Sequence, residues 1–189
     1  MLKEAAMISF TTSLLDKAVQ MKPEMLEGKI KPLYEACKNK KYHRYVLYEH
    51  CEEAGIPPVL VHGDMWSNNI MWKLDENGIL VCCSDAEVRR EYEDEVLKYY
   101  YDTLTSLFKK DNKEVPFTFE QVEQAYTISQ IRQTGDTLWM APLFCGGEKR
   151  PGSEALWEAR KEKLLLRASL ALDDALKTLE ALPREKYVD

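Results

Sequence analysis

Apolar residues recur every three or four positions over most of this chain, a spacing that suits helices and not strands. Leu2, Ala5, Ala6, Leu14, Leu15, Ala18 and Val19 lay out an amphipathic helix that Pro23 bounds. A second helical stretch carries Tyr42, Tyr45, Val46 and Cys51; it ends where Gly55 offers a C-cap and Pro57-Pro58 forbids continuation. Ser84-Asp85-Ala86-Glu87 has the form of a capping box, so a long helix is expected from about Asp85, with Val88, Tyr92, Val96, Tyr99, Tyr100, Leu104 and Leu107 along it. Thr118-Phe119-Glu120-Gln121 is a second capping box, opening a helix that should end near Gly135 or run on towards Met140. From Ser153 a last helix places Leu164, Leu165, Ala168, Leu172, Ala175, Leu176 and Leu179 on one broad face with Leu156 and Trp157, and Pro183 closes it.

One stretch breaks the helical period. Val59-Leu60-Val61 is β-prone and leads into His62-Gly63-Asp64, after which Ile70-Met71-Trp72 and Ile79-Leu80-Val81 flank Asp75-Glu76-Asn77-Gly78. That pattern reads as a β-hairpin around an Asn-Gly turn. The expected fold class is α+β, mainly helical, in a single domain over residues 1–189 with a small hairpin after the loop at 61–72.

Composition narrows the functions open to such a fold. At 189 residues, 45% hydrophobic and 31% charged, the chain can bury a sizeable core, and disorder throughout is not expected. A net charge of −6 argues against a grip on the nucleic-acid backbone, and a nucleotide partner would need a metal. The five cysteines show no CxxC pairing and their number is odd, which fits a reducing compartment better than a disulfide framework. Charge breaks the N-terminal apolar run too early for a signal peptide, and no stretch reaches the ~20 apolar residues of a membrane span. The expected location is the cytoplasm, with no membrane partner.

The chemistry sits in the string from Val61 to Ile70, in which Asp64 follows His62-Gly63 and Asn69 stands five residues after Asp64. Asp-x4-Asn is the spacing of a kinase catalytic loop. Phosphoryl transfer needs a carboxylate to orient the acceptor hydroxyl and take its proton, and an amide oxygen nearby to hold magnesium on the nucleotide phosphates. The bland alternative is a turn whose Asp caps the next segment; the β-prone run before it, the Asn at the right offset and the hairpin after it favour the loop. Trp66, Trp72, Trp139 and Trp157 read as core residues. His43 and His50 read as residues of a solvated helix face, Glu93-Asp94-Glu95 as helix surface, and Cys82-Cys83 as buried packing.

His-Gly-Asp-x-Trp-Ser-Asn-Asn resembles the loop of aminoglycoside phosphotransferases and choline kinases, and with its trailing Trp resembles the choline-kinase-like, ecdysteroid-kinase-like branch. Glu87-Val88-Arg89-Arg90 and Met140-Ala141-Pro142-Leu143-Phe144 also resemble that branch, so the likeness covers roughly residues 1–180. It implies a kinase-like C-terminal lobe, with Asp64 as catalytic base, Asn69 as metal ligand and His62 as a structural brace. Mg2+, ATP and a small hydroxylated substrate are implied with it.

The sequence departs from that family in two ways. The family's second metal-binding Asp, in a pattern resembling Ile-Asp-Trp-Gln, has no counterpart string. Either Asp85 takes its place, or a block is missing between Gly78 and about Leu80; the second reading is preferred, because the segment from Leu80 onwards resembles the family's region after that Asp. Also, no Gly-x-Gly-x-x-Gly loop and no strand-borne Lys with a helix Glu precede His62, so the nucleotide-covering N-terminal lobe is absent and activity of this chain alone is not expected. The competing expectations are a phosphotransferase completed by a longer parent or partner chain, a non-catalytic pseudokinase-like module, and, ranked last, an unrelated helical interaction protein. The acceptor and the oligomeric state are not legible in the sequence.

Overall fold

The computed structural model describes residues 2–57, 85–147 and 151–188. Among these residues all regular structure is helical, which bears out the mainly helical expectation; the hairpin expected within 70–81 lies outside them. The chain divides into two compact units, Met1–His50 with Thr127–Asp189, and Cys51–Tyr126.

The first unit holds α1 (Leu2–Met21), α2 (Pro23–Leu26), α3 (Lys31–Cys37), α4 (Lys40–Arg44) and a π turn (Tyr45–Glu49). It also holds the larger part of α7 (Phe119–Cys145) and all of α8 (Glu154–Ala181). Prolines open α2 and α3 in their first turns, where the missing N–H costs nothing. α1 packs on α2 and α3, and α8 on the same two helices. Leu15, Leu26, Leu33, Ile131, Leu138, Leu165 and Leu172 are wholly buried there. Two ion pairs rivet α8 across the core's rim: Lys22 Nζ to Glu162 at 2.6 Å, and Lys29 Nζ to Asp173 at 2.7 Å. The predicted apolar face of α8 is realised from Leu165 to Leu179, while Leu156 stays exposed. In α1 the burial begins only at Leu14; Ala5 and Ala6, expected on the apolar face, are exposed.

The second unit holds α5's tail (α5, His50–Glu53), α6 (Ala86–Lys110) and the first two turns of α7. Its described core is thin, with Ala54, Ala86, Phe117 and Val122 as its buried apolar residues. Tyr101 fastens α6 to the segment that leads into α7: its ring lies 6.4 Å from Phe117 and 5.7 Å from Phe119, and its hydroxyl donates to the Phe117 carbonyl at 2.8 Å. The capping box at the head of α7 forms as read. Thr118 N–H donates to Gln121 Oε1 at 2.7 Å, and Gln121 N–H donates to Thr118 Oγ1 at 3.3 Å. The helix continues past Gly135 and Met140 to Cys145, carrying Pro142 within it.

Candidate functional site

His62, Asp64 and Asn69 lie outside the described residues, as do Trp66, Trp72, Cys82, Cys83 and Ser84. The structure describes how the chain leaves for that loop and how it returns. After α5 the Gly55 N–H donates to the Glu52 carbonyl at 3.0 Å and Ile56 N–H to the Cys51 carbonyl at 2.9 Å, with Gly55 at φ 71°. This is the glycine C-cap expected from the sequence, and a Cβ at Gly55 would also stand 2.9 Å from Gln121 Nε2. The return is Asp85, extended at φ −68° and ψ 153°, whose carbonyl accepts from Arg89 N–H at 2.9 Å. The N-cap is Asp85, one residue later than the capping box implies, and the buried Ala86 is the first helical residue. The Asp85 side chain makes no capping bond to its own helix.

Asp85 would serve as a magnesium ligand only together with Asn69 and phosphate oxygens, since one carboxylate does not satisfy that ion's octahedral shell. Among the described residues no group of three or more His, Cys, Asp or Glu side chains could hold a metal.

Of the two outlying strings that resemble the kinase-like branch, the first ties α6 to the first turns of α7. Arg89 and Glu93 pair at 2.9 Å with side chains 12% and 26% exposed, and Tyr126 donates to Glu93 Oε2 at 3.2 Å. In the second string Ala141 is wholly buried and Leu143 and Phe144 are exposed. The Pro142 carbonyl accepts from Gly146 N–H at 3.1 Å, and a Cβ on Gly146 would lie 2.4 Å from that oxygen, so only glycine closes this helix end.

None of the described thiols is poised as a nucleophile. Burial pushes Cys37 up to about 12 and also raises Cys51 and Cys145. Beside Cys37, burial raises the Tyr42 phenol well above its ordinary range.

His50 corrects the sequence reading. It is buried, at 5% exposure, with Nδ1 2.9 Å from the Tyr45 carbonyl and Nε2 3.1 Å from Ser129 Oγ. The carbonyl can only accept, so in the neutral ring Nδ1 carries the proton and Nε2 accepts from the Ser129 hydroxyl. The π turn is the cause. Its wider i→i+5 winding takes an extra residue per turn and swings His50 to the place Glu49 would hold in an α-helix, on the face of Tyr42, Tyr45 and Val46. His43 is half-buried, with Nε2 2.7 Å from the Cys37 carbonyl. Trp139 and Trp157 are half-buried, not core: Trp139 donates to Asp136 Oδ1 at 3.0 Å, and the Arg160 guanidinium lies 5.7 Å from the Trp157 ring.

A groove of about 440 Å³ in the first unit is lined in part by Asp16, Glu27, Lys31 and Tyr34. Two carboxylates against one ammonium make a poor seat for phosphates. No helix of the described residues is long and apolar enough to cross a membrane.

Comparison with known proteins returns one family, DUF1679, described as "Uncharacterized oxidoreductase dhs-27", which matches in two segments, residues 1–81 and 75–181. The Caenorhabditis elegans protein named "Uncharacterized oxidoreductase dhs-27" is 26% identical over 149 residues, a match that takes in 63% of this chain and 18% of that relative. No solved structure matches.

Proposed function

The chain belongs to the DUF1679 family, and from that premise we propose that it carries the catalytic-loop half of an ATP-dependent phosphotransferase acting on a small-molecule hydroxyl, in a form that does not transfer phosphate by itself. Asp64 is the base, Asn69 the magnesium ligand and His62 the brace of the loop. The observation that carries this reading is the Asp-x4-Asn loop in its setting, between a β-prone run and an Asn-Gly turn.

What makes the form incomplete is internal to the chain. The two family segments meet at residues 75–81, where the sequence itself suggests a missing block. The match to the nematode relative runs over 149 residues and takes in 63% of a 189-residue chain, a shorter stretch, which is in keeping with residues inside the match that this chain lacks. A missing return strand would take the second metal-binding Asp with it. Metal ions neutralise the charge that develops on the transferred phosphoryl group, so losing a ligand costs orders of magnitude in rate.

The relative's name speaks of an oxidoreductase. This chain spans 18% of that protein, and none of its eight glycines stands two residues from another, so it offers no Gly-x-Gly turn for a dinucleotide. We assign the oxidoreductase label to the part of the relative outside the match.

Titration calorimetry of the purified chain with magnesium and a non-hydrolysable ATP analogue tests the proposal. The expected result is no binding in the micromolar range by a chain that is folded by circular dichroism. Micromolar, magnesium-dependent binding weakened by Asn69→Ala and by Asp85→Ala would overturn the incompleteness and make Asp85 the second ligand.

A further inference from the structure

α6 is apolar on two sides, and its own unit uses one. Tyr101 faces Phe117 and Phe119, while Val88, Tyr99, Tyr100 and Leu107 are 37%, 73%, 50% and 53% exposed, with Tyr92 and Val96 half-buried on the same arc. These six residues and Thr103 fall at spacings of three and four along the whole helix, a continuous stripe with no acidic residue on it. A stripe of aromatic and aliphatic side chains left in water marks an interaction surface. The charge of the helix selects what covers it. The N-terminal half carries Glu87, Glu91, Glu93, Asp94 and Glu95 against Arg89, Arg90 and Lys98, a net negative balance, and the last turn carries Lys109 and Lys110.

We propose that α6 pairs antiparallel with α6 of a second copy of this chain. The twofold axis passes between Tyr99 and Tyr100, so that each Tyr99 meets the other copy's Tyr100, Tyr92 meets Leu107, and Val96 meets Thr103. On one edge Glu91 then faces Lys109 of the other copy, and the axis makes that pair twice. A parallel arrangement would set Glu91 by Glu91 and Lys109 by Lys109; the antiparallel one pairs them and also opposes the helix dipoles. The like-charge approach, Glu95 to Asp102 of the other copy, is relieved on the same edge by Lys98, bound to Asp102 at 2.5 Å. One helix pair buries less than the about 800 Å² per partner of a standard interface, so the dimer is a weak, reversible one. This inference stands apart from the proposed function.

Sedimentation equilibrium of the full chain over a wide concentration range is the test. The mass should climb from monomer towards dimer, and Tyr100→Glu or Leu107→Glu should hold it at monomer with the helical circular dichroism kept. Lys109→Glu should weaken association at least tenfold, and adding Glu91→Lys to it should restore most of that loss. A monomer at every concentration, or a dimer indifferent to all of these changes, overturns the pairing; rescue by the charge swap separates it from nonspecific stickiness.

Discussion

The two ring nitrogens of the buried His50 are spent on a carbonyl and a hydroxyl. Replacing it with alanine empties a buried site and leaves the Ser129 hydroxyl to find a new acceptor, so His50→Ala should cost about 2–4 kcal/mol in urea unfolding. Ser129→Ala removes one neutral bond and should cost about 1 kcal/mol. Cys37 makes a prediction with a pH sign. Its thiol is held up to about 12 against an ordinary 9.0, so the folded chain binds that proton more tightly than the unfolded one. The associated stability is whole below pH 9 and is lost as the pH rises from there towards 12, and the raised Tyr42 phenol adds to the fall from its own ordinary value of 10.0 upwards. Unfolding measured across that window should show the decline, and Cys37→Ala should make it shallower.

Helix ends were largely legible because they are local: Pro23 just past the end of α1, a Thr-x-x-Gln box and a glycine at positive φ act through neighbours in sequence. Of the two ends expected for α7, near Gly135 or towards Met140, the helix passes both to Cys145, because Gly135 only lowers helix propensity, by about 1 kcal/mol, and the buried Leu138 and Ala141 hold the helix beyond it. The burial of His50 was hidden for the opposite reason, since periodicity assumes α winding and a π turn shifts the register. Of the candidate site, the loop's spacing was legible, while the geometry of His62, Asp64 and Asn69 lies outside the described residues. At the level of elements, Thr118→Ala breaks the reciprocal cap of α7 and should cost about 1 kcal/mol. Gly146→Ala forces a Cβ to within 2.4 Å of the Pro142 carbonyl and should fray the last turn. Loss of amide protection confined to the last turn of α7 would be its signature.

Across the molecule the two units are unequally built. The first buries leucines from α1, α2, α3, α7 and α8, while the described part of the second buries four apolar residues and leaves much of α6 in water. Local opening follows buried contact, so amides of α6 should exchange faster than those of α8, although the two helices are similar in length, 25 and 28 residues. The proposed loss of a block at 75–81 would give that inequality a cause within the chain, since α6 is the first described helix after the junction. It also makes the cause testable by addition. Inserting at the junction the residues that the nematode relative carries and this chain lacks should slow exchange along α6 and bring magnesium-dependent nucleotide binding that Asn69→Ala abolishes. Slower exchange without binding would mean that the block is structural and that the nucleotide needs elements this stretch does not supply. Binding without any change in α6 would separate the exposed stripe from the missing block, and leave pairing between copies as the role of that stripe.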